Sequence, residues 1–228
     1  MPASQSLAKT IETIRNKTLR INEIFFSIQG ETRYAGLPTI FIRLTGCPLR
    51  CHYCDTAYAF HEGTRMSIND ILHRINNYRT RFVTVTGGEP LAQINCIDLL
   101  TLLCDEGYQV SLETSGAIDI SRVDERVARI VDIKTPGSGE SGKNRFENLF
   151  RLNTHDQVKF VISDRTDYDW ARGKIREYQM AERCEILFSP SHEELPAQTL
   201  ADWILADHLP VRLQIQLHKY LWGDVPGK

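Results

Sequence analysis

The sequence predicts an α/β fold: a partial barrel of the (βα)6 type with mostly parallel strands, and one added strand ahead of the repeating part. Three observations predict it. Seven runs rich in Val, Ile, Leu, Phe and Thr alternate with helical patterns, and that alternation calls for parallel strands joined by right-handed crossovers. Those runs are too few for a closed eightfold barrel. An earlier run, RINEIFFSIQGE at 20–31, has strand character and precedes the first repeat.

Residues 1–18 read as an N-terminal extension, a frayed helix, and 19–228 as a single domain. The repeating strands are expected at 39–46, 81–88, 108–116, 129–134, 157–163, 184–190 and 211–218. SINDILHRINNY opens with Ser67 and has Asp70 three residues on, the start of a capped helix that puts Ile68, Ile71, Leu72 and Ile75 on one face. Further helices are expected at 91–106, 166–181 and 197–207, with a short one at 120–128. PGSGESGKN at 136–144 reads as a mobile loop.

A formal net charge of −2, with both signs interspersed, offers no basic field for nucleic acid, so a small-molecule partner is expected. No run of apolar residues is long enough to cross a membrane. The opening MPASQSLAKTIETIRNK lacks the apolar centre of a secretory signal, which gives a cytoplasmic expectation.

Ligands of such folds gather beyond the carboxyl ends of the parallel strands, and chemistry-bearing residues recur there. The first strand runs into GCPLRCHYCDT, which carries Cys47, Cys51 and Cys54. Zinc would need a fourth donor, His52 or His61, because only one CxxC pair is present. A redox dithiol would leave the third cysteine unexplained. An iron–sulfur cubane held by three thiolates leaves one iron open to a further ligand. Cys96, Cys104 and Cys184 lie in apolar surroundings and read as small buried hydrophobes.

C-x3-C-x2-C followed by GGEP at 87–90 resembles the signature of the radical S-adenosylmethionine superfamily. The ordered set NEIFFSIQGE, FIRLTGCPLRCHYCDT, TGGEP, LETSG and QLHKYLW resembles, more narrowly, its 7-carboxy-7-deazaguanine synthase family. That resemblance implies a [4Fe-4S] cluster on Cys47, Cys51 and Cys54, with S-adenosylmethionine chelating the open iron. It also implies reductive cleavage of S-adenosylmethionine, hydrogen abstraction from a pterin, 6-carboxy-5,6,7,8-tetrahydropterin, and ring contraction with loss of ammonia.

Residue by residue, the resemblance implies S-adenosylmethionine contacts at Tyr53, Asp55, Gly88 and Glu89, where Glu89 would accept the ammonium group and the glycines would admit the ligand. Further contacts are implied at Asp132, Ile133 and Lys134, and at Ser189, Pro190, Ser191 and His192, although DIKTP departs from the SPK form of some relatives. Substrate contacts are implied at Ile28, Gln29 and Gly30, at Arg43 for the carboxylate, and at Thr86 and His218. Thr56 corresponds to the ligand of Mg2+. The resemblance also implies a homodimer and a reducing donor such as flavodoxin or ferredoxin. Glu113 and Ser115 share the rim without an assigned role, and the tail Asp224–Lys228 departs from shorter relatives. A radical-generating activase acting on a protein, and a zinc-binding interaction module, are the competing readings.

Overall fold

A computed structural model describes residues 2–223, Val225 and Gly227, with side chains from Lys9 onward. Asp224, Pro226 and Lys228 lie outside the described residues, and with them the question of the tail.

The chain builds one nine-stranded sheet flanked by helices. In chain order the elements are α1 (Pro2–Arg15), β1 (Thr18–Ile28), β2 (Pro38–Leu44), β3 (Thr64–Ser67), α2 (Ile68–Ile75), β4 (Phe82–Gly87) and α3 (Cys96–Asp105). Then follow β5 (Gln109–Thr114), β6 (Ala128–Asp132), β7 (Gln157–Ile162), α4 (Arg165–Glu177), β8 (Glu185–Pro190), α5 (Ala197–Ala206), β9 (Arg212–Leu213) and α6 (Leu217–Trp222). The sheet order is β3-β1-β2-β4-β5-β6-β7-β8-β9, with every neighbour pair from β2 to β9 parallel and the β1 pairings antiparallel. The added strand is therefore β1, as expected, and the sheet is open at β3 and β9.

Strand alternation gives the sheet two different faces. Ile40, Ile42, Leu44, Val83, Val85, Leu112, Val131 and Phe160 belong to the buried core beneath α2 to α5. The intervening positions, among them Arg43, Thr86, Glu113, Asp132 and Lys159, line a cavity on the opposite face. The α2 cap forms as predicted: Ser67 Oγ accepts the Asp70 N–H at 3.1 Å, and Ile68, Ile71, Leu72 and Ile75 are buried. Each such side chain contributes roughly 2 kcal/mol of burial free energy.

Three expectations change. No helix forms over 120–128, because Asp119 and Asp124 take the local N–H groups of Ser121 and Arg126 at 2.9 and 3.0 Å, turning the chain instead. The strand expected at 211–218 stops after Leu213. Leu217 N–H donates to Gly30 O at 3.1 Å, so the chain bends across to the turn after β1 and starts α6 there. The 136–144 loop is folded into two 3-10 turns with Ser138 buried.

Candidate active site

The cavity has a volume of about 670 Å³, within the range of small-molecule sites. Its thiol end is the loop after β2. Cys47, Cys51 and Cys54 are unpaired with one another, half-buried, and all line the cavity. Burial pushes the Cys47 thiol up and the Cys51 thiol to about 11. Among the described residues, no three His, Cys, Asp or Glu side chains gather around a point where one ion could sit.

Gly87 and Gly88 line the cavity and also make a close backbone contact. A Cβ on Gly88 would stand 2.2 Å from Gly46 O and 2.8 Å from Cys47 Cβ, and one on Gly87 would stand 2.3 Å from Leu44 O. These glycines therefore let the β4 loop press against the base of the cysteine loop. Glu89, by contrast, does not face the cavity. It is fully buried, and its carboxylate accepts from Leu91 N, Thr114 Oγ1, Ser115 N and Ser115 Oγ at 2.5–2.9 Å. With those donors satisfying it, Glu89 ties the ends of β4 and β5 together, and Ser115 acquires a role as its partner.

Ile133 points away from the cavity into the core because Asp132 and Lys134, its alternate neighbours, point inward. Ser189 and Pro190 are still paired with Val161 and Ile162 in the sheet, so the cavity wall begins one residue later, at Ser191 and His192. Lys134 Nζ pairs with Asp132 at 3.1 Å and lies 5.9 Å from the centre of the Tyr53 ring. Burial alone would lower the Lys134 ammonium, but Asp132, Tyr53 and Cys51 together outweigh it and the net shift is upward.

The other end is built around the turn after β1. Because β1 is antiparallel, this turn enters beside the starts of the parallel strands, opposite the thiols. Gln29 is buried and lines the cavity, with Nε2 donating to Thr84 Oγ1 at 3.0 Å and to Glu113 Oε1 at 3.4 Å. Thr86 Oγ1 donates to Glu113 Oε2 at 2.9 Å. Removal from water, reinforced by Glu31, raises the Glu113 carboxyl above its ordinary value. Gly30 leaves room for His218, whose Nδ1 would be 2.1 Å from a Cβ there. Burial lowers the His218 imidazole, favouring its neutral form.

Arg43 sits between these ends. Its Nε donates to Glu23 Oε1 at 2.7 Å, and its guanidinium lies 5.7 Å from the Phe25 ring and 5.8 Å from that of Tyr58. Thr56 Oγ1 donates to Asp55 Oδ1 at 2.8 Å. Burial opposes ionisation of Asp55, yet the Thr56 hydroxyl and Lys219 hold its carboxyl below the usual range.

Sequence reasoning missed Glu23, Lys159 and Gln216. Lys159 and Glu31 form an ion pair in the cavity wall, and Gln216 Nε2 reaches Glu31 at 3.3 Å and Asp55 at 3.4 Å. The one signal was Lys159 itself, a lone charge inside the apolar run QVKFVIS.

Residues 41–164, more than half of the chain, match the family model for the Radical SAM superfamily. A 7-carboxy-7-deazaguanine synthase from Chlorobaculum tepidum is 46% identical over 208 residues, covering 90% of this chain and 94% of that one. The chain belongs to the 7-carboxy-7-deazaguanine synthase family. A second 7-carboxy-7-deazaguanine synthase, from Koribacter versatilis, is 42% identical over 90% of this chain and 97% of its own. The fold matches the crystal structure of QueE from Escherichia coli with a TM-score of 0.76 at 24% identity, covering 91% of this chain and 98% of that one. Membership of the 7-carboxy-7-deazaguanine synthase family makes the chain a radical S-adenosylmethionine enzyme, of the class that carries an iron–sulfur cluster.

Proposed function

We propose that this chain converts 6-carboxy-5,6,7,8-tetrahydropterin to 7-carboxy-7-deazaguanine with release of ammonia. One observation carries the reading: three thiols and a set of heterocycle-binding polar groups face one cavity from opposite ends. That arrangement suits a small planar substrate.

The residues fit the groups the reaction needs. Cys47, Cys51 and Cys54 would hold the cluster. Tyr53 Oη, Asp132 Oδ1 and Ser191 Oγ are buried without a protein hydrogen-bond partner near that end, and the hydroxyls and amino group of S-adenosylmethionine would satisfy them. When bound, the cluster and S-adenosylmethionine supply one-electron reduction and abstraction of a hydrogen atom from substrate carbon.

The protein's own part is to bind and orient. Gln29, Glu113 and Glu31 present an amide and two carboxylates to the alternating donors and acceptors of a pterin ring. Arg43, already aligned by Glu23, turns its remaining N–H groups toward the substrate carboxylate. Neutral His218 closes over the ring from α6. Thr56 gives its proton to Asp55 and keeps lone pairs for a hard cation, so Mg2+ would be held there together with substrate oxygen and water.

The domain reading of 19–228 as one unit, with 1–18 as an extension, is retained in this proposal; so are a homodimer, a cytoplasmic setting and a flavodoxin- or ferredoxin-like donor. Among the described residues, no helix is long and apolar enough to cross a membrane. Anaerobic purification tests the reading at its base. Brown protein containing iron and sulfide, with a cubane spectrum that changes on adding S-adenosylmethionine, supports it; colourless zinc protein overturns it.

A further inference from the structure

We propose that the Gly/Ser-rich segment 136–144 is a rigid bracket that seats the cysteine loop, with Glu140 as a positioning residue and Asp167 as its anchor. The inference deepens the reading above, and depends on it only for what the loop holds.

The cysteine loop between Cys47 and Cys54 has neither helix nor strand of its own. Leu49 N–H and Cys54 N–H find acceptors within the loop, Cys47 Sγ at 3.4 Å and Cys51 O at 3.3 Å, but the amides on either side of Cys51 bond outside it. Arg50 N–H donates to Glu140 Oε1 at 2.7 Å, and His52 N–H donates to Ser138 O at 3.0 Å. Both acceptors belong to the bracket, and both donors flank Cys51. Arg50 then folds its guanidinium back onto Cys47 O at 2.8 Å and Leu49 O at 2.7 Å, over the Phe60 ring.

The bracket is itself held in place. Ser138 Oγ donates to Thr135 O at 2.6 Å and accepts the Glu140 N–H at 3.0 Å. Asn144 clasps both backbone groups of Lys134 at 2.8 Å. Beneath lies Asp167, 1% exposed and outside the cavity, in the first turn of α4. Its carboxylate accepts from Gly137 N at 2.8 Å, Thr135 Oγ1 at 3.0 Å and Ser163 N at 3.1 Å. A chain of hydrogen bonds thus runs from a buried helix carboxylate, through the bracket, to the residues between the cluster ligands. The glycines and serines serve tight turns in it.

Glu140 makes the charge-assisted contact of the pair, and so contributes most to ordering the loop. In its absence the thiols would have to be gathered from a looser ensemble each time a cluster assembles.

Hydrogen–deuterium exchange of segment 47–54 in the metal-free protein tests this directly. Glu140→Ala should speed exchange there roughly tenfold, the loss of one charge-assisted bond, with the melting temperature little changed. Glu140→Gln, whose amide oxygen still accepts, should restore slow exchange. In reconstituted protein, iron should pass to a chelator several-fold faster from Glu140→Ala than from wild type or Glu140→Gln. Asp167→Asn should loosen both 136–144 and 47–54; should that variant fail to fold, the Glu140 pair still decides. Wild-type exchange and iron retention in Glu140→Ala would overturn the proposal, as would equal impairment of Glu140→Gln. A wild type that takes up no iron would refute the functional reading, while exchange in the metal-free protein would still decide on the bracket.

Discussion

Arg43 Nε donates to Glu23 Oε1 at 2.7 Å, from residues paired in register across β1 and β2. Tyr58 Oη donates to the same carboxylate oxygen at 2.9 Å. One edge of the guanidinium is therefore fixed by the protein, and the rest faces the cavity. Arg43→Lys should raise the KM for the pterin by roughly ten- to a hundredfold, because an ammonium cannot reproduce the fork. Glu23→Gln should give a smaller rise. Cluster content and slow cleavage of S-adenosylmethionine without substrate should persist in both; iron loss would assign Arg43 a structural task instead.

Glu113 gives a pH prediction. Its folded carboxyl is raised, so the folded state binds more protons than the unfolded one just above the ordinary glutamate value. Stability from this group is present at low pH and is lost as pH rises through the folded value. His218 is lowered, so its contribution runs the other way: stability falls as pH drops below the ordinary histidine value. Melting curves of the metal-free protein across this range should show Glu113→Gln more stable than wild type at neutral pH, yet with turnover sharply reduced. A destabilised Glu113→Gln would contradict the assignment of a strained, function-bearing carboxylate.

Thr56 gives a magnesium prediction. Thr56→Val is nearly isosteric and lacks only the oxygen donor, so its activity should fall most at limiting Mg2+ and recover partly at high Mg2+. Cluster content should not change. An unaltered magnesium response would leave Thr56 as a loop residue bonded to Asp55.

Cys51→Ala should abolish cluster assembly, since Cys47 and Cys54 alone leave a second iron without a protein ligand. Iron and sulfide analysis after reconstitution checks this.

The strands and the cysteine loop were legible because their signals are local: β-branched runs in one case, fixed spacing in the other. The Ser67–Asp70 cap was legible for the same reason. That Glu89 turns into the protein could not be read, because a GGEP turn looks the same whether its carboxylate faces a ligand or ties two strand ends together. Lys159 and Glu31 were invisible as a pair, being joined only when β7 and the β1 turn meet across the cavity. The run VRLQIQLH alternates like a strand, yet its last residues are drawn into α6 by Gly30, a contact made only in the folded chain. The bracket was misread because glycine and serine mark tight turns and flexible linkers alike.

The most direct test of the whole account is turnover. Reconstituted anaerobic protein, given S-adenosylmethionine, a low-potential reductant, Mg2+ and 6-carboxy-5,6,7,8-tetrahydropterin, should form 7-carboxy-7-deazaguanine and an equal amount of ammonia, followed by mass spectrometry. Cleavage of S-adenosylmethionine with the pterin recovered unchanged would contradict the account, leaving the cluster in place and a different substrate at the Gln29 end of the cavity.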